Sequence, residues 1–570
     1  MSDNKVWKLA PPSPLALSLA GETGLTPLQA QLLITRNISD KDSVRSFLSP
    51  QLAEMTDPWL LKGIDEATKI IIESIEKKIK LTIFGDYDAD GLTATALLFN
   101  FFESIGAPVS YYIPNRLNEG YGLNEDAIYE IEKSGTGLII TVDCGISNLK
   151  EIALAKDLGM KVVVTDHHQL PIGFRAICPV VNPHCPDCLF PFKDLAGVGV
   201  AFFLSVAIRS VLREKGWFKT DAEPDLKEYL DLVALGTVAD RVPLIDQNRI
   251  FVTNGLKVMT DSRFEGIRAM KEAAGVHSQK ITSSDLAFRL APRLNSPGRI
   301  GDSETGMRIL TVKDPHSAKV LSLKINTINS KRQEIERHIT SLIEENIDTD
   351  GGIGKRKTLF FGAEGWNKGV LGIAASRLVD MYHRPALVFN IQDGLAVGSG
   401  RSIDGFNLFW ALSQMSHLFK KFGGHYHAVG FTLDSANLGT LENELEILAE
   451  KTLSDTDLVQ TIDVDVEVLL QDITFEMIQQ ITALGPFGEG NQAPVFLARS
   501  MEVIVSRIVG DKHLKLTVTQ GEGTFEAIGF GLADRHPLHG KRIDMVFIPE
   551  INKWQGHESI QLRIIDLDLN

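Results

Sequence analysis

Between about residues 60 and 310, short apolar runs alternate with longer segments of helical spacing. Residues 80–84 form one such run, and residues 93–102, which follow a polar turn, have the composition of a buried helix. This alternation is typical of βαβ units arranged around a parallel sheet. The pattern therefore predicts an α/β domain in this part of the chain.

The pattern changes twice after residue 310. Residues 314–346 lack glycine and keep a helical period through Val320, Leu323, Ile328, Ile335, Ile339 and Leu342. This spacing predicts one long connecting helix. A second α/β region continues to about residue 455, and short alternating strands with Gly-rich turns then predict a small β-barrel.

These patterns divide the chain into five predicted regions. They are a polar lead-in (1–55) with a short helix around Thr26–Thr35, a first α/β domain (56–313), a connecting helix (314–347), a second α/β domain (348–457) and an OB-like barrel (458–570).

Composition and apolar stretches indicate a soluble protein of the cytoplasm. Of the 570 residues, 44% are hydrophobic and 23% are charged, which is ordinary for a globular chain. The longest apolar stretch, Val198–Ile208, is too short to span a bilayer, and the acidic start does not fit a secretory signal. Four cysteines in so long a chain favour a reducing compartment.

The net charge of −15 is unevenly distributed. Residues 434–476 hold twelve acids and one base, whereas residues 289–337 hold ten bases and five acids. An acidic outer region can therefore coexist with a basic groove, so the composition permits a polyanionic substrate.

The stretch DYDADG at residues 86–91 places three aspartates at alternate positions after an apolar run. An EF-hand calcium loop begins in the same way, but its twelfth position must be glutamate, and here it is Leu97. The preceding run also has strand-like rather than helical composition. The stretch is therefore interpreted as an acidic turn between a strand and a helix.

Three further apolar runs, interpreted as strands, end in acidic or imidazole side chains. Asp143 follows one run, the triplet Asp166–His168 follows the next, and Asp240 ends the third. Ligands bind beyond the carboxyl ends of strands in open parallel sheets, so these side chains are expected to converge. Crowded carboxylates need cations, and oxygen-rich sites with imidazoles suit Mn²⁺ or Mg²⁺. The pattern predicts a two-metal site for displacement at phosphorus.

This ordered set of motifs resembles the DHH phosphoesterase superfamily. DYDADG, TVDCG, the DHH triplet and GTVAD match its four motifs, and GGH at 423–425 resembles the signature of the DHHA1 domain. Val429 stands two residues after the GGHYH stretch, where the family usually has alanine. YIPNR (112–116), EGYGL (119–123), LAGVGVAF (195–202), RLNSPGRIG (293–301) and LGPFGEGN (484–491) resemble the branch that degrades single-stranded DNA from the 5′ end.

The resemblance implies a DHH catalytic domain at 56–313, a DHHA1 domain at 348–457 and a nucleic-acid-binding barrel at 458–570. It also implies two Mn²⁺ or Mg²⁺ ions and a set of catalytic and metal-binding residues. These are Asp86, Asp88, Asp90, Asp143, His167, His168 and Asp240. Asp143 is expected to bridge both ions, His168 to contact a metal or the scissile phosphate, and Asp166 to orient the histidines.

The resemblance further implies residues that hold the strand. Arg116 and Arg299 are expected to bind a terminal 5′-phosphate, because guanidinium pairs with phosphate in bidentate fashion. The other predicted substrate-binding residues are Arg293, Asn295, Ser399, Arg401, Gly423, Gly424 and His425.

We therefore expect a 5′→3′ exonuclease that releases mononucleotides from single-stranded DNA in repair and recombination. The alternatives are a DHH phosphodiesterase of short oligonucleotides or cyclic dinucleotides, and a non-catalytic scaffold of the same fold that binds single strands. The resemblance also implies a single-strand-binding protein and a repair helicase as partners. We expect a monomer without a membrane association.

Overall fold

The computed structural model describes residues 5–116, 118–218, 223–277, 280–349, 352–554 and 556–569. The α-helices are α1 Ala16–Thr23, α2 Pro27–Ile34, α3 Lys41–Leu48, α4 Ile64–Glu76, α5 Ala89–Ser104, α6 Glu125–Lys133, α7 Leu149–Asp157, α8 Gly197–Glu214, α9 Leu230–Asp240, α10 Asp246–Thr260, α11 Glu265–Ala273, α12 Ser283–Asp285, α13 Ala291–Ile300, α14 Ser303–Thr311, α15 Pro315–Thr349, α16 Leu371–Tyr382, α17 Leu408–Gln414, α18 Leu438–Thr452 and α19 Phe475–Thr482.

The strands are β1 Val6–Leu9, β2 Leu81–Gly85, β3 Val109–Tyr112, β4 Leu138–Val142, β5 Lys161–Thr165, β6 Val180–Val181, β7 Leu359–Glu364, β8 Ala386–Gln392, β9 Leu395–Arg401, β10 Phe419–His425, β11 Ala428–Asp434, β12 Thr461–Val464, β13 Val466–Glu467, β14 Phe496–Val509, β15 His513–Gln520, β16 Gly523–Gly529, β17 Arg542–Trp554 and β18 His557–Leu569. The chain forms two compact units, one of residues Gln51–Leu458 and one that joins the segments before and after it.

The first sheet of the larger unit has five parallel strands in the order β3-β2-β4-β5-β6. Every residue of β2 and β4 is buried, which matches their nearly continuous apolar sequence. Helices α5 and α8 add their apolar faces to the same core. Because all the strands are parallel, the residues that follow β2, β4 and β5 lie at one edge of the sheet.

The predicted connecting helix is α15, and it packs against α11, α13, α14 and α16. Leu321 and Ile325 are on its buried side, whereas Val320 and Leu323 are more than half exposed. Apolar residues occupy adjacent positions of this helix, so their spacing predicts the helix but does not show which set faces the core.

The second sheet of the larger unit has the order β10-β11-β9-β8-β7. β7 and β8 are parallel, and the other pairs are antiparallel. Helix α16 packs against β8 and β9. The parallel pair places the carboxyl ends of β7 and β8 side by side.

The smaller unit contains a closed five-stranded barrel formed by β14, β15, β16, β18 and β17, with β14 also paired to β17. Its core includes the buried residues Phe496, Leu516 and Phe547 together with Leu32 and Leu33 of α2. β1 pairs in parallel with β12, so the N-terminal segment belongs to this unit. The predicted fold, α/β with an OB-like barrel, is confirmed.

None of the helices in the described ranges combines the length and the apolar composition that crossing a membrane requires.

Candidate metal centre

The three aspartates of DYDADG follow β2 and have distinct local roles. Asp88 caps α5, and its Oδ1 accepts hydrogen bonds from the Asp90 and Gly91 N–H groups at 3.0 and 3.1 Å. Asp90 accepts hydrogen bonds from the first two N–H groups of α8, those of Gly197 and Val198, at 2.6 and 2.9 Å. The start of one helix therefore holds a carboxylate from the start of another.

Asp143 follows β4 directly and has φ +58°. A positive φ is uncommon for a residue with a side chain, and such residues cluster at functional sites. The carboxylate is buried, and a Cβ on Gly197 would lie 2.7 Å from the Asp143 Cβ. A glycine at position 197 is therefore required for the start of α8 to lie this close to Asp143.

Asp166 organises the two histidines that follow it. Its Oδ1 accepts hydrogen bonds from the His167 and His168 N–H groups at 2.8 and 3.1 Å and lies 2.7 Å from His168 Nδ1. Its Oδ2 accepts a hydrogen bond from the Ile146 N–H. Because Asp166 holds His168 Nδ1, the Nε2 of that ring is the nitrogen left for a metal or a phosphate, and His167 Nε2 has no hydrogen-bond partner among the described residues.

Asp240 ends helix α9 rather than a strand. The strand interpretation of the run before it was wrong, because a short apolar run bounded by polar residues fits a buried helix equally well. All residues from Leu230 to Val238 are buried. The helix nevertheless delivers Asp240 to the same site, with Oδ2 3.7 Å from His167 Nε2.

His167 Nε2 is the common point of the site. It lies 3.1 Å from Asp143 Oδ1 and 4.0 Å from Asp90 Oδ2. Among the described residues, three groups have ligand atoms within 4.8 Å of one another. They are Asp143 with His167 and His168, Asp90 with His167 and Asp240, and Asp86 with Asp88 and Asp143. Asp143 belongs to two of these groups, which suits a carboxylate that bridges two ions.

The electrostatics of the cluster call for cations. Burial, reinforced by neighbouring carboxylates, raises the pKa of Asp86, Asp90 and Asp143 well above the ordinary value. Within the described part of the chain, Asp86 Oδ1, Asp143 Oδ1 and His167 Nε2 are buried without a hydrogen-bond partner. Oxygen and imidazole ligands that the protein itself leaves unsatisfied fit Mn²⁺ or Mg²⁺.

His168 and Asp166 form a separate charge pair. Burial opposes protonation of His168, but the hydrogen bond and charge of Asp166 raise its pKa to about 9. Burial likewise opposes ionisation of Asp166, but the hydrogen bond with His168 and the histidine charges bring its pKa below the ordinary value.

Positive charge lies next to this acidic cluster. The Arg116 guanidinium lies over the Tyr87 ring, 5.1 Å from its centroid. Burial and the charge of Arg116 lower the pKa of Arg299 to about 10 and that of Arg401 to about 10. The charges of these three arginines therefore repel one another, and an anionic ligand would relieve that repulsion.

The second α/β domain places two predicted segments beside each other. Arg401 on β9 and His425 on β10 both lie opposite Ala428 of β11, and Ser399 and Gly423 both lie opposite Gly430. Burial and the charges of Arg401 and His168 lower the pKa of His425. The charge of His168 contributes to this shift, so His425 interacts electrostatically with a residue of the metal centre.

Other predicted residues have structural contacts. Asn295 Oδ1 accepts a hydrogen bond from the Ala89 N–H at 2.7 Å, so it braces the acidic turn. Arg293 Nε donates to Asn326 Oδ1 at 3.0 Å. Gly424 has φ +144°, and a Cβ there would lie 2.2 Å from the Ala428 carbonyl oxygen. Their binding of substrate remains a prediction.

Comparison with known proteins identifies the family. Family models match residues 80–237 (DHH family, N-terminal domain), 356–451 (DHHA1 domain) and 464–566 (RecJ OB domain). The single-stranded-DNA-specific exonuclease RecJ of Bacillus subtilis is 37% identical over 96% of this chain and 69% of its own length. The Escherichia coli RecJ is 35% identical over 95% of this chain and 96% of its own.

The chain belongs to the RecJ family.

Solved structures agree with this assignment. The RecJ–Mn²⁺ complex from Thermus thermophilus matches with a TM-score of 0.85 and 28% identity, over 100% of this chain and 80% of that one. A manganese-bound exonuclease RecJ is 32% identical with a TM-score of 0.60, and 71% of this chain covers all of it. The predicted resemblance is thus confirmed.

Tyr121 is one residue at this RecJ-family site to which the sequence assigned no role. Its hydroxyl donates a hydrogen bond to the Asp143 carbonyl oxygen at 3.1 Å and lies 3.3 Å from His168 Nδ1. It supports both the strained backbone of Asp143 and the histidine ring. Its position in the EGYGL motif, between two glycines, is the signal that marked it.

Proposed function

We propose that the chain is a two-metal exonuclease that removes mononucleotides from the 5′ end of single-stranded DNA. The observation that carries this proposal is the 3.1 Å approach of His167 Nε2 to Asp143 Oδ1, two buried atoms without a hydrogen-bond partner in the described structure. Side chains from the ends of β2, β4, β5 and α9 complete the site. The RecJ relatives are named single-stranded-DNA-specific exonucleases.

The metal ligands are proposed from the three groups of ligand atoms. Asp86, Asp88, Asp90, His167 and Asp240 would hold two Mn²⁺ or Mg²⁺ ions, with Asp143 shared between them. Bound ions supply activation of water and neutralise charge on the phosphoryl oxygens. Asp166 holds His168 Nδ1, which leaves Nε2 to contact a metal or the scissile phosphate.

The 5′-phosphate is proposed to bind between the two α/β domains. Arg299 donates to the Gly369 carbonyl oxygen at 3.4 Å, and a Cβ on Gly372 would lie 3.0 Å from the Arg401 guanidinium. Gly369, before α16, and Gly372, in its first turn, therefore lie beside Arg299 and Arg401. With Arg116, they offer a phosphate several charge-assisted hydrogen bonds. Ser399, Gly423, Gly424 and His425 are proposed to contact the following nucleotides.

Digestion of end-labelled DNA tests the proposal. With Mn²⁺ or Mg²⁺, a 3′-labelled single strand should shorten progressively from its 5′ end, and a 5′-labelled strand should release labelled mononucleotide at once. Chelator should stop both reactions, and a blunt duplex should persist. Internal cuts, or equal digestion of the duplex, would contradict the proposal.

Partners and compartment are inferred from the family. We expect this chain to act as a monomer in the cytoplasm, with a helicase that separates strands and a single-strand-binding protein that presents them. Pull-down of each candidate by the full chain, with and without DNA, tests these pairings.

A further inference from the structure

A cavity of about 740 Å³ lies at the carboxyl ends of β7 and β8. Its wall combines the ends of these strands with the loop that begins at Gly365 and with Asn118 of the first α/β domain. Asn118 is two residues after Arg116 and three before Tyr121, so the cavity adjoins the loop that reaches the metal centre. Its volume is in the usual range for a small-ligand site.

One buried side chain in this wall indicates a ligand. Asn390 lies in the otherwise apolar strand segment Leu387–Ile391 and is 3% exposed. Its Oδ1 has no hydrogen-bond partner among the described residues, although the residue lines the cavity. A buried carbonyl without a partner is costly, so its place here is explained if a ligand supplies an N–H donor.

The charges of the wall favour a neutral hydrogen-bond donor over a phosphate in this cavity. Glu364 and Asp393 bring two carboxylates to the cavity, against one ammonium from Lys368. Carboxylates accept hydrogen bonds from the exocyclic amino groups of bases and repel phosphates. The arginines described above serve the phosphate, and this cavity suits a neutral group that carries N–H donors.

Trp366 supplies the remaining feature that a base needs. Its indole packs on the apolar cluster around Ile339 and Ile343 of α15 and also lines the cavity. Any of the four bases can stack on an aromatic ring, so this contact does not depend on the sequence of the strand. The side-chain amides of Asn118, Asn367 and Gln392 add hydrogen-bonding groups around the same space.

We propose that this cavity binds a nucleobase of the single strand while the arginines hold its 5′-phosphate. The proposal rests on the proposed function and adds a base-binding subsite to it. One loop links the two sites, because Asn367 Oδ1 accepts a hydrogen bond from the Gly369 N–H at 2.9 Å, and the Gly369 carbonyl accepts one from Arg299. A free nucleotide offers the same chemistry, and the test separates the two sources.

The test combines variants with abasic DNA. Asn390→Leu and Trp366→Leu are compared with the parent in an Asp143→Asn background, by titration with a 5′-phosphorylated 12-mer and with the same strand carrying one abasic site at each position in turn. On the intact strand, both variants should weaken binding about 10-fold. At one abasic position the affinity of the parent should fall by the same factor, and the affinity of the variants should not fall further.

Controls separate binding from folding. Trp410→Leu makes the same change at a half-exposed tryptophan of the same domain and should leave binding within about twofold. Asn390→Leu should not lower the melting temperature, because it replaces a buried amide whose Oδ1 has no partner among the described residues with an apolar group of similar size. If it fails to fold, Gln392→Ala at the exposed rim replaces it in the same comparison.

Three results would overturn the inference. One is parent-like binding of the intact strand by the cavity variants, and another is a variant effect that persists at every abasic position. The third is stabilisation of the parent, but not of Asn390→Leu, by free deoxynucleoside monophosphate without an abasic effect, which would assign the cavity to a free nucleotide. A chain that does not cut single strands at all would overturn the proposed function instead.

Discussion

Asp143 is held in a conformation and an environment that a lone carboxylate does not favour. Its φ is positive, and burial together with the nearby carboxylates of Asp90, Asp88, Asp240 and Asp86 raises its pKa. The Tyr121 hydroxyl and the close approach of Gly197 keep it in place. Such a residue persists because the surrounding structure determines it and because bound cations would relieve the repulsion.

The first prediction concerns Asp143→Asn. Asparagine tolerates the left-handed region, so the backbone should be retained. Loss of a ligand to both ions should remove several kcal/mol of transition-state stabilisation, or at least about 1,000-fold in turnover. In chelator, the variant should melt no lower than the parent, because a buried charge has been removed. Turnover within tenfold of the parent at saturating Mn²⁺ would contradict the bridging role.

The second prediction concerns pH. The pKa of Asp86, Asp90, Asp143 and Asp240 is higher in the folded chain than the ordinary value of 3.8. Above that ordinary value the unfolded chain loses these protons first, so the folded state binds more protons. These groups therefore lower the stability of the metal-free chain as pH rises from about 4 through their folded pKa values.

Melting curves at pH 5 and pH 8, with and without Mn²⁺, check this sign. The gain in melting temperature from Mn²⁺ should be larger at pH 8, because the ligands must be deprotonated to bind the ion. Asp143→Asn should show a smaller pH dependence in chelator. A larger Mn²⁺ effect at pH 5 would contradict the account.

The third prediction concerns Arg299. Loss of a desolvated charged partner should cost about 2–3 kcal/mol, or about 30- to 150-fold, on a strand with a 5′-phosphate. Arg299→Ala and the parent are compared on 5′-phosphorylated and 5′-hydroxyl strands. Arg289→Ala, at a half-exposed arginine paired with Asp285, is the matched control and should keep the parent preference. An unchanged preference in Arg299→Ala would assign that arginine another role.

At the scale of elements, helix starts assemble the centre. The start of α5 carries Asp88 and Asp90, and the start of α8 donates two N–H groups to Asp90. The positive end of a helix dipole favours an ionised carboxylate there, and it partly offsets the burial of Asp90. The distance between α8 and β4 is set at Gly197.

The fourth prediction compares two glycines of α8. In Gly197→Ala the new Cβ would lie 2.7 Å from the Asp143 Cβ, whereas in Gly199→Ala the closest atom would be 3.5 Å away. Gly197→Ala should displace Asp143 and lower activity or metal affinity about 10- to 100-fold. Gly199→Ala should be close to neutral. Isothermal titration with Mn²⁺ measures the metal affinity of both variants, and initial rates measure their activity. Equal effects of the two substitutions would show that helix propensity, rather than the contact with Asp143, causes the change.

Sequence patterns predicted a strand or helix correctly where the pattern fits only one of these two element types. β2, β4 and β5 are short, apolar and followed by turns, and they were predicted as strands. The run before Asp240 fits a strand and a buried helix equally, and packing against α5 and α10 makes it a helix. Tyr121 could not be assigned, because its partners lie more than twenty residues away along the chain.

At the scale of the whole molecule, the N-terminal segment is the feature that the sequence did not indicate. Trp7 Nε1 donates to Asp566 Oδ2 at 2.8 Å, and Arg36 pairs with Asp465 at 3.1 Å. These contacts join residues more than 400 positions apart, and the local spacing of apolar residues does not predict contacts between such distant segments. A shortened chain that is meant to keep the barrel folded therefore has to include both the segment before residue 51 and the segment after residue 458.

The last prediction concerns the barrel and uses a chain of residues 51–458, the compact unit that holds the proposed metal ligands. We expect slow cleavage of very short oligonucleotides to persist. Long strands should bind more weakly than to the full chain and with a smaller salt dependence, because phosphate contacts of the barrel are lost. Binding is titrated against salt in the Asp143→Asn background, and equal affinities and slopes would contradict a binding role.

A point variant in the full chain separates lost contacts from lost folding. Lys512, in the exposed turn between β14 and β15, is the proposed contact, and Lys515 is its control because its ammonium already pairs with Glu526 at 2.8 Å. Each phosphate contact on a single strand contributes about 0.7 to the slope of log affinity against log salt. Lys512→Gln should reduce the slope by about that amount, and Lys515→Gln by much less. Equal slopes in all three chains would place the strand elsewhere on the barrel.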